Sequence, residues 1–221
     1  MSVRLSACPP TRPPRSPTSW LIVAPVVDCA HSTKWLVEEG LLTIDWADEL
    51  GDQLDWHWRE RLRPRLIGLT DAEYFWEPVP DCWTVRPRRG EHEMGGGRFT
   101  VDYAFPAPSP APVTTIAWRL AHITVHVLAK RAEIHFGATP VDYDTHVYAG
   151  TAAAALDQLD RAYAAWASGM RTADLERGCG PDSGPFASRP LAALVQHVNR
   201  EVIHHGAEIA LLRDLYLRMA R

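Results

Sequence analysis

The sequence predicts an all-α protein built as a bundle of four long helices. Segments with helical periodicity alternate with segments rich in proline or glycine, and only residues 97–105 have the character of a strand. Amphipathic helices bury their apolar faces against one another. The chain of 221 residues, 46% of them hydrophobic, is long enough for one sizeable core, and we predict one bundle domain over residues 41–221. The long helices are predicted over residues 43–66, 114–136, 151–170 and 189–218.

The first 40 residues differ in composition from the rest. Residues 1–19 are rich in Pro, Arg and Ser, which cannot bury enough apolar area to offset the entropy lost on ordering. The apolar piece over residues 20–27 resembles the core of a secretory signal, but Pro25 interrupts it and residues 28–30 form a poor cleavage site. We expect residues 1–40 to be a disordered or loosely attached extension.

The first long helix is predicted to begin at Thr43, whose side chain can cap it. Pro64 should end or kink this helix, because proline lacks the backbone donor that a helix needs. Its apolar residues recur at a spacing of four that drifts slowly around one face: Trp46, Leu50, Leu54, Trp58 and Leu62.

A long irregular loop is predicted between the first and second long helices. Thr70 and Glu73 form a capping-box pattern that starts one short helical turn. Residues 77–113 then hold much of the proline, together with three consecutive glycines at 95–97. Loops of that length in a compact domain usually carry function.

The other three helices have start and stop signals. Thr115, preceded by another threonine, can open the second helix, and Gly137 can end it. Thr151 can open the third helix, which is rich in alanine. Ser188 and Pro190 suit the first turn of the fourth helix, which should run almost to the end of the chain.

Composition excludes several classes of partner. The formal net charge of -4 gives no basic surface, so we expect no nucleic acid as the main partner. Apolar runs such as residues 152–156 are far too short for a membrane span, which needs about 20 residues. Because the cysteines form no CxxC pair, we expect reduced thiols and a cytoplasmic location. The cysteines are Cys8, Cys29, Cys82 and Cys179.

Residues that bind metals or move protons are concentrated in the last predicted helix. Positions four apart lie on one helix face, so Glu201 and His205 should point the same way, with His197 one turn before them. A Glu and a His one turn apart form half of a metal site or of an acid/base pair. The second predicted helix offers another half in His122 and His126.

Plainer explanations stand beside this one. A lone histidine among apolar residues, such as His122, is more often a satisfied core residue or a solvent-facing one, and Glu201 can be an ordinary surface residue. Two histidine-bearing helices in one bundle favour a metal site, because bundles build such sites from facing helices. Three N/O ligands would leave a fourth position open, as in catalytic zinc sites. Both interpretations stay open on the residues alone.

Two motifs resemble those of a known family. Residues 115–123, TIAWRLAHI, resemble the second-helix motif of the DinB superfamily. Residues 200–209, REVIHHGAEI, resemble its last-helix motif, especially in the mycothiol-dependent maleylpyruvate isomerase branch, where a Glu-x-x-x-His pair binds metal. The resemblance covers residues 43–218. It implies a four-helix bundle of DinB type with one divalent metal, usually Zn or Ni, held by three side chains at one end.

The resemblance also implies which residues bind the metal. Many family members have two histidines in the last helix, and alignment on Gly206 would then select Arg200 and His204. Arginine is a poor ligand because it stays protonated. We therefore prefer the alignment that places the metal-binding pair of the last helix one position later. The ligands implied in that alignment are His122, Glu201 and His205. The residues that would either hold a ligand in place or serve as alternative ligands are His126, His197 and His204.

The chemistry implied by the resemblance is thiol activation. A cation with an open position lowers the pKa of a bound thiol, and the thiolate is the nucleophile. The expected function is a metal-dependent thiol transferase or isomerase, with mycothiol or a similar low-molecular-weight thiol as co-substrate and an electrophile as second substrate. Two alternatives are a DinB-like stress- or damage-associated protein that holds a metal without turnover, and a metal-dependent hydrolase.

Basic residues in the long loop are candidates for binding an anionic group of the thiol. The residues are Arg86, Arg88, Arg89 and His92. A solvated basic loop with no ligand is the competing interpretation. The sequence is compatible with a monomer and with a homodimer.

Overall fold

The computed structural model describes residues 43–219. The extension predicted over residues 1–40 lies outside these described residues. Within them, four long helices form the bundle, and this confirms the all-α class. No helix in the described range is both long enough and apolar enough to cross a membrane.

The helices have the following bounds. Helix α1 is continuous over residues 46–65, as an α-helical segment Trp46–His57, a π-helical segment Trp58–Leu62 and a last short segment Arg63–Arg65. The short helix α2 is Asp71–Tyr74. Helix α3 is continuous over residues 116–136, as Ile116–Ala121, a π-helical segment His122–Ala129 and Lys130–Phe136. Helix α4 is Ala152–Met170, a 3₁₀ segment follows at Pro181–Phe186, and helix α5 is Leu191–Met219.

Most of the predicted helix ends are confirmed. Thr70 and Glu73 form the capping box, Thr115 and Thr151 cap α3 and α4, and Gly137 ends α3 with a left-handed φ of 66°. Each cap satisfies backbone groups that a helix end leaves without an internal partner.

The predicted start of α1 at Thr43 is wrong. Asp45 is the cap, and its carboxylate accepts hydrogen bonds from the backbone N–H groups of Ala47 and Asp48 at 2.9 and 3.2 Å. A carboxylate at this position also interacts favourably with the positive end of the helix dipole. The helix ends at Arg65, one residue after Pro64, as predicted.

The segment predicted as an irregular loop contains a two-stranded antiparallel hairpin. Strand β1 is Val85–Pro87 and strand β2 is Phe99–Val101, with Val85 opposite Val101. The strand character predicted over residues 97–105 is thus confirmed for β2, whereas β1 was not predicted. Trp83 forms a bridge to Thr114, which ties the hairpin to the start of α3.

The bundle core is formed mainly by aliphatic side chains from the long helices. Helix α3 packs against both α4 and α5, and α1 packs against α5. The predicted apolar face of α1 is correct from Leu54 onward, but Trp46 is 59% exposed. Side chains that are almost fully buried at the centre include Leu120, Ile123, Leu159, Trp166, Leu194 and Ile209.

Candidate metal centre

Helices α3 and α5 bring together the three residues that the sequence singled out. His122 lies on α3 at the first position of its π-helical segment, and π turns recur at functional sites. Glu201 and His205 lie one turn apart on α5. One ligand atom from each of the three side chains lies within 4.8 Å of the others.

The spacing of these atoms suits one small divalent ion. Nε2 of His205 lies 3.3 Å from Oε2 of Glu201. Two donors bound tetrahedrally to zinc at 2.0–2.2 Å are about 3.4 Å apart. The rings of His122 and His205 are 4.8 Å apart and nearly perpendicular, at 85°, so their nitrogens can approach a common point from different directions.

The histidine from α3 is held in its neutral form. Burial lowers the pKa of His122 to about 3, and the neighbouring charges of His205, His126 and Arg119 add to this effect. A neutral imidazole keeps a nitrogen lone pair, which metal binding requires. His122 therefore needs no deprotonation to bind a cation at neutral pH.

The second oxygen of Glu201 is held by neighbours on α5. His197 Nδ1 lies 3.4 Å and Arg200 Nη2 lies 3.5 Å from Oε1. Arg200 also contacts His197 Nδ1 at 2.6 Å. His197 therefore lies beside the carboxylate and outside the three-residue group, next to the oxygen that faces away from His205.

The other ring nitrogen of His205 has a carboxylate partner. Nδ1 lies 2.6 Å from Oε2 of Glu208, one turn further along α5. Nε2 also faces a carboxylate oxygen, Oε2 of Glu201 at 3.3 Å, but the contact at Nδ1 is the shorter one. In the neutral ring the shorter contact favours the proton on Nδ1 and the lone pair on Nε2. Arg119 pairs with Glu208, its Nε 2.9 Å from Oε2 and its Nη2 donating to Oε1 at 3.2 Å.

A second group of three residues also offers ligand atoms that lie within 4.8 Å of one another. It consists of His204, His205 and Glu208. The side chain of His204 is 62% exposed, and its Nε2 lies 3.4 Å from Oε1 of Glu208. The guanidinium of Arg119 lies 2.9 Å from Glu208, closer than the 3.5 Å between Arg200 and Glu201, so a cation would be repelled more strongly at Glu208. The geometry therefore favours the group that contains Glu201, and His204 faces away from it.

His126 lies beside the three-residue group but outside it. Its ring is 5.4 Å from that of His122 and 4.4 Å from that of Tyr143. Burial, with a smaller contribution from His146, lowers the pKa of His126 to about 4. His126 is thus a neutral neighbour of His122.

Trp118 fixes the ring of His122 and connects the centre to the hairpin. The two rings are stacked, with centroids 5.2 Å apart and planes within 11°. The indole Nε1 of Trp118 donates to the backbone carbonyl of Asp102 at 2.8 Å, just after β2. A narrow cleft lined by Trp118, His122, His126 and Tyr148 lies next to this stack, with a volume of about 10 Å³, room for about one water molecule.

Two of the three arginines predicted to bind substrate are used by the loop itself. Arg86 forms a bidentate ion pair with Asp102, at 2.6 Å for the closest atoms. Arg88 donates to backbone carbonyls of Glu93 and of glycines 90, 95 and 97. Both guanidinium groups hold the hairpin in shape. The side chain of Arg89 is exposed, as is His92.

Three residues of the centre were given no role from the sequence. Glu208 is three positions after His205, and Arg119 and Trp118 are three and four positions before His122. These are the spacings at which side chains meet on a helix. A search for polar or aromatic residues one turn from each candidate ligand could have found them.

A comparison with protein families gives an independent result. The family model of the DinB superfamily matches residues 53–209, which is more than half of the chain and includes all three residues of the group. Comparisons with curated proteins and with solved structures gave no match. On the family match, together with the four-helix architecture, the chain belongs to the DinB superfamily.

Proposed function

We propose that the protein is a metal-dependent thiol transferase or isomerase. In this proposal His122, Glu201 and His205 hold one divalent cation, Zn²⁺ or Ni²⁺, and a low-molecular-weight thiol such as mycothiol binds beside it. The observation that carries the proposal is the convergence of two imidazoles and a carboxylate from two helices within 4.8 Å.

The residues present fit such an ion. His122 is neutral and offers a lone pair. Glu208 lies at Nδ1 of His205, which leaves Nε2 as the nitrogen that faces Glu201 and the ion. Three protein donors leave a tetrahedral ion one open position, which is the arrangement of catalytic rather than structural zinc sites. When bound, the cation lowers the pKa of a coordinated thiol so that the thiolate forms near neutral pH.

The chain around the ligands supports this chemistry by limiting water. Trp118 stacks on His122, and His205 is largely buried. The cleft beside His122 is walled mostly by apolar and aromatic groups. In a poorly solvated site, electrostatic interactions with a developing charge are stronger than in bulk water.

The test uses zinc-loaded protein with mycothiol and monochlorobimane. The thiolate sulfur forms a bond to the bimane carbon, the carbon–chlorine bond breaks, and chloride leaves with the electron pair while the thiol proton goes to solvent. We expect thiol binding by calorimetry and formation of the fluorescent adduct above the uncatalysed rate.

Glu201→Ala should lose most of the bound metal and fall to the uncatalysed rate, while unfolding stays cooperative because the core does not include this side chain. The matched control is Asp214→Ala, which removes an exposed carboxylate from the same helix, paired with Arg65 at 2.7 Å. This control should keep both metal and transfer.

Three results would contradict parts of the proposal. Unchanged metal content in Glu201→Ala would remove this residue from the ligand set. Zinc-loaded wild type that binds no thiol would favour the protein that holds metal without turnover. Cleavage of p-nitrophenyl acetate in the absence of thiol, lost in Glu201→Ala, would favour the hydrolase.

A further inference from the structure

We infer that Glu208 is a positioning residue that, together with Arg119, holds His205 in the orientation and tautomer needed to bind a metal. The inference rests on the proposed metal site and goes beyond it, because neither Glu208 nor Arg119 is among the proposed ligands.

The first step of the argument is the hydrogen bond on His205. The Nδ1–Oε2 distance of 2.6 Å to Glu208 is that of a charge-assisted hydrogen bond. Glu201 lies at the other ring nitrogen, its Oε2 3.3 Å from Nε2, and competes for the ring proton. The shorter contact to Glu208 favours the proton on Nδ1 and so leaves the lone pair of Nε2 for a cation shared with Glu201. Without an acceptor at Nδ1, the proton can occupy Nε2 and block that nitrogen as a ligand.

The second step concerns Arg119. Its Nη1 lies 3.2 Å from Nδ1 of His205, but a protonated Nδ1 cannot accept a hydrogen bond from it. The contact that stabilises is the ion pair with Glu208, which orients that carboxylate so that it can accept from His205. Glu208 therefore connects a cationic side chain to a ligand ring.

The third step is the place of this pair in the fold. Arg119 is on α3, three residues before His122, and Glu208 is on α5, three residues after His205. The ion pair joins the same two helices that carry the proposed ligands. It therefore acts on the ring of His205 and also on the spacing between the two halves of the site.

The experiment compares wild type with Glu208→Ala, Glu208→Gln and a control. Asp160→Asn is the matched control, because Arg63 and Asp160 form a bidentate pair between α1 and α4 at 2.7 Å with similar exposure. Two quantities are measured: the tautomer of His205 in metal-free protein, by ¹⁵N NMR of the imidazole, and the dissociation constant for Zn²⁺, by competition with a chelator. Thermal melting of each variant checks the fold.

In metal-free wild type we expect His205 with its proton on Nδ1. In Glu208→Ala the proton should move in part or fully to Nε2, and zinc should bind about 10- to 100-fold more weakly. Glu208→Gln keeps an oxygen that can accept from Nδ1–H, so it should recover part of both effects. Asp160→Asn should change neither, even where it lowers the melting temperature.

Other results would overturn the inference. If Glu208→Ala keeps the tautomer and the zinc affinity of wild type, the pair with Arg119 is an interhelical contact only. If Glu208→Ala loses zinc as completely as Glu201→Ala, Glu208 is a ligand. Wild type that binds no zinc would overturn the proposed function and the role in metal binding, whereas absent thiol transfer with the expected zinc and tautomer results would overturn the proposed function alone.

Discussion

His204 and His205 are adjacent in sequence but have different surroundings. Successive residues of an α-helix point about 100° apart, so only one of the two can face α3. The side chain of His205 is 10% exposed and lies between Glu201 and Glu208, whereas the side chain of His204 is 62% exposed. The two residues therefore provide a test of which three-residue group binds a cation.

We predict that His205→Ala removes most of the zinc affinity, and that His204→Ala changes it less than about threefold, as expected for a solvent-exposed site. Alanine is a good helix former, so both substitutions should leave the helix backbone undisturbed. The measurement is the zinc dissociation constant of each purified variant. A loss of affinity in His204→Ala as large as in His205→Ala would show that the metal is bound at the group containing Glu208.

The sequence allowed the three proposed ligands to be named but not their supporting residues. Glu201 and His205 follow from helical spacing, and the family motif connects them to His122. Spacing shows only that two residues share a helix face. It does not show that Glu208 accepts from Nδ1 of His205, because that contact depends on side-chain rotamers and on Arg119 from another helix.

At the scale of elements, the start of α3 determines where His122 lies. Thr115 accepts a hydrogen bond from the backbone N–H of Trp118 at 3.2 Å. Its hydroxyl also donates to Thr84 Oγ1 at 2.8 Å, where both side chains are buried. Thr115 therefore fixes the start of α3 to the residue just before strand β1, close to the stack of Trp118 on His122.

We predict that Thr115→Ala destabilises the protein by about 2 kcal/mol or more. The substitution removes a helix cap and also the buried hydrogen bond to the hydroxyl of Thr84. Thr151→Ala, which removes the exposed cap of α4, should cost about 1 kcal/mol. Urea denaturation of both variants gives the two values. Equal losses would mean that the hydrogen bond to Thr84 contributes little.

Elements with local signals were predictable, and those without them were not. The bounds of α3 and α4 differ from the predicted ones by at most two residues, because their threonine caps and the glycine stop of α3 act within one turn. Helix α5 begins at Leu191, directly after Pro190. The π-helical segments were not predicted, since a pattern based on 3.6 residues per turn does not reveal a locally wider turn. Strand β1 was missed because Pro87 and its charged neighbours hide a pairing that depends on β2, 12 or more residues away.

At the scale of the whole molecule, partly buried histidines couple folding to pH. His135, near the end of α3 and away from the proposed metal site, is one of these. Burial lowers its pKa to about 4, and the charges of Arg177 and Arg131 act in the same direction. In the unfolded chain a histidine has a pKa of about 6.5.

We predict that the stabilising contribution of neutral His135 is fully present above pH 6.5 and falls as the pH decreases from about 6.5 toward 4. In that range the unfolded state binds a proton that the folded state does not, so acid favours unfolding. His135→Asn removes the titrating imidazole. The free energy of unfolding of this variant should decrease less than that of wild type between pH 7 and 4. Equal decreases in metal-free samples would show that His135 is not held neutral.

The positions of the proposed ligands also affect how stability should be described. His122 and His205 are distant in sequence and lie on two helices, so one ion bound to both would act as a reversible crosslink across a long stretch of chain. By mass action, each tenfold rise in free metal above the dissociation constant would add about 1.4 kcal/mol to the free energy of unfolding. The melting temperature would then depend on the chelating capacity of the buffer as well as on core packing.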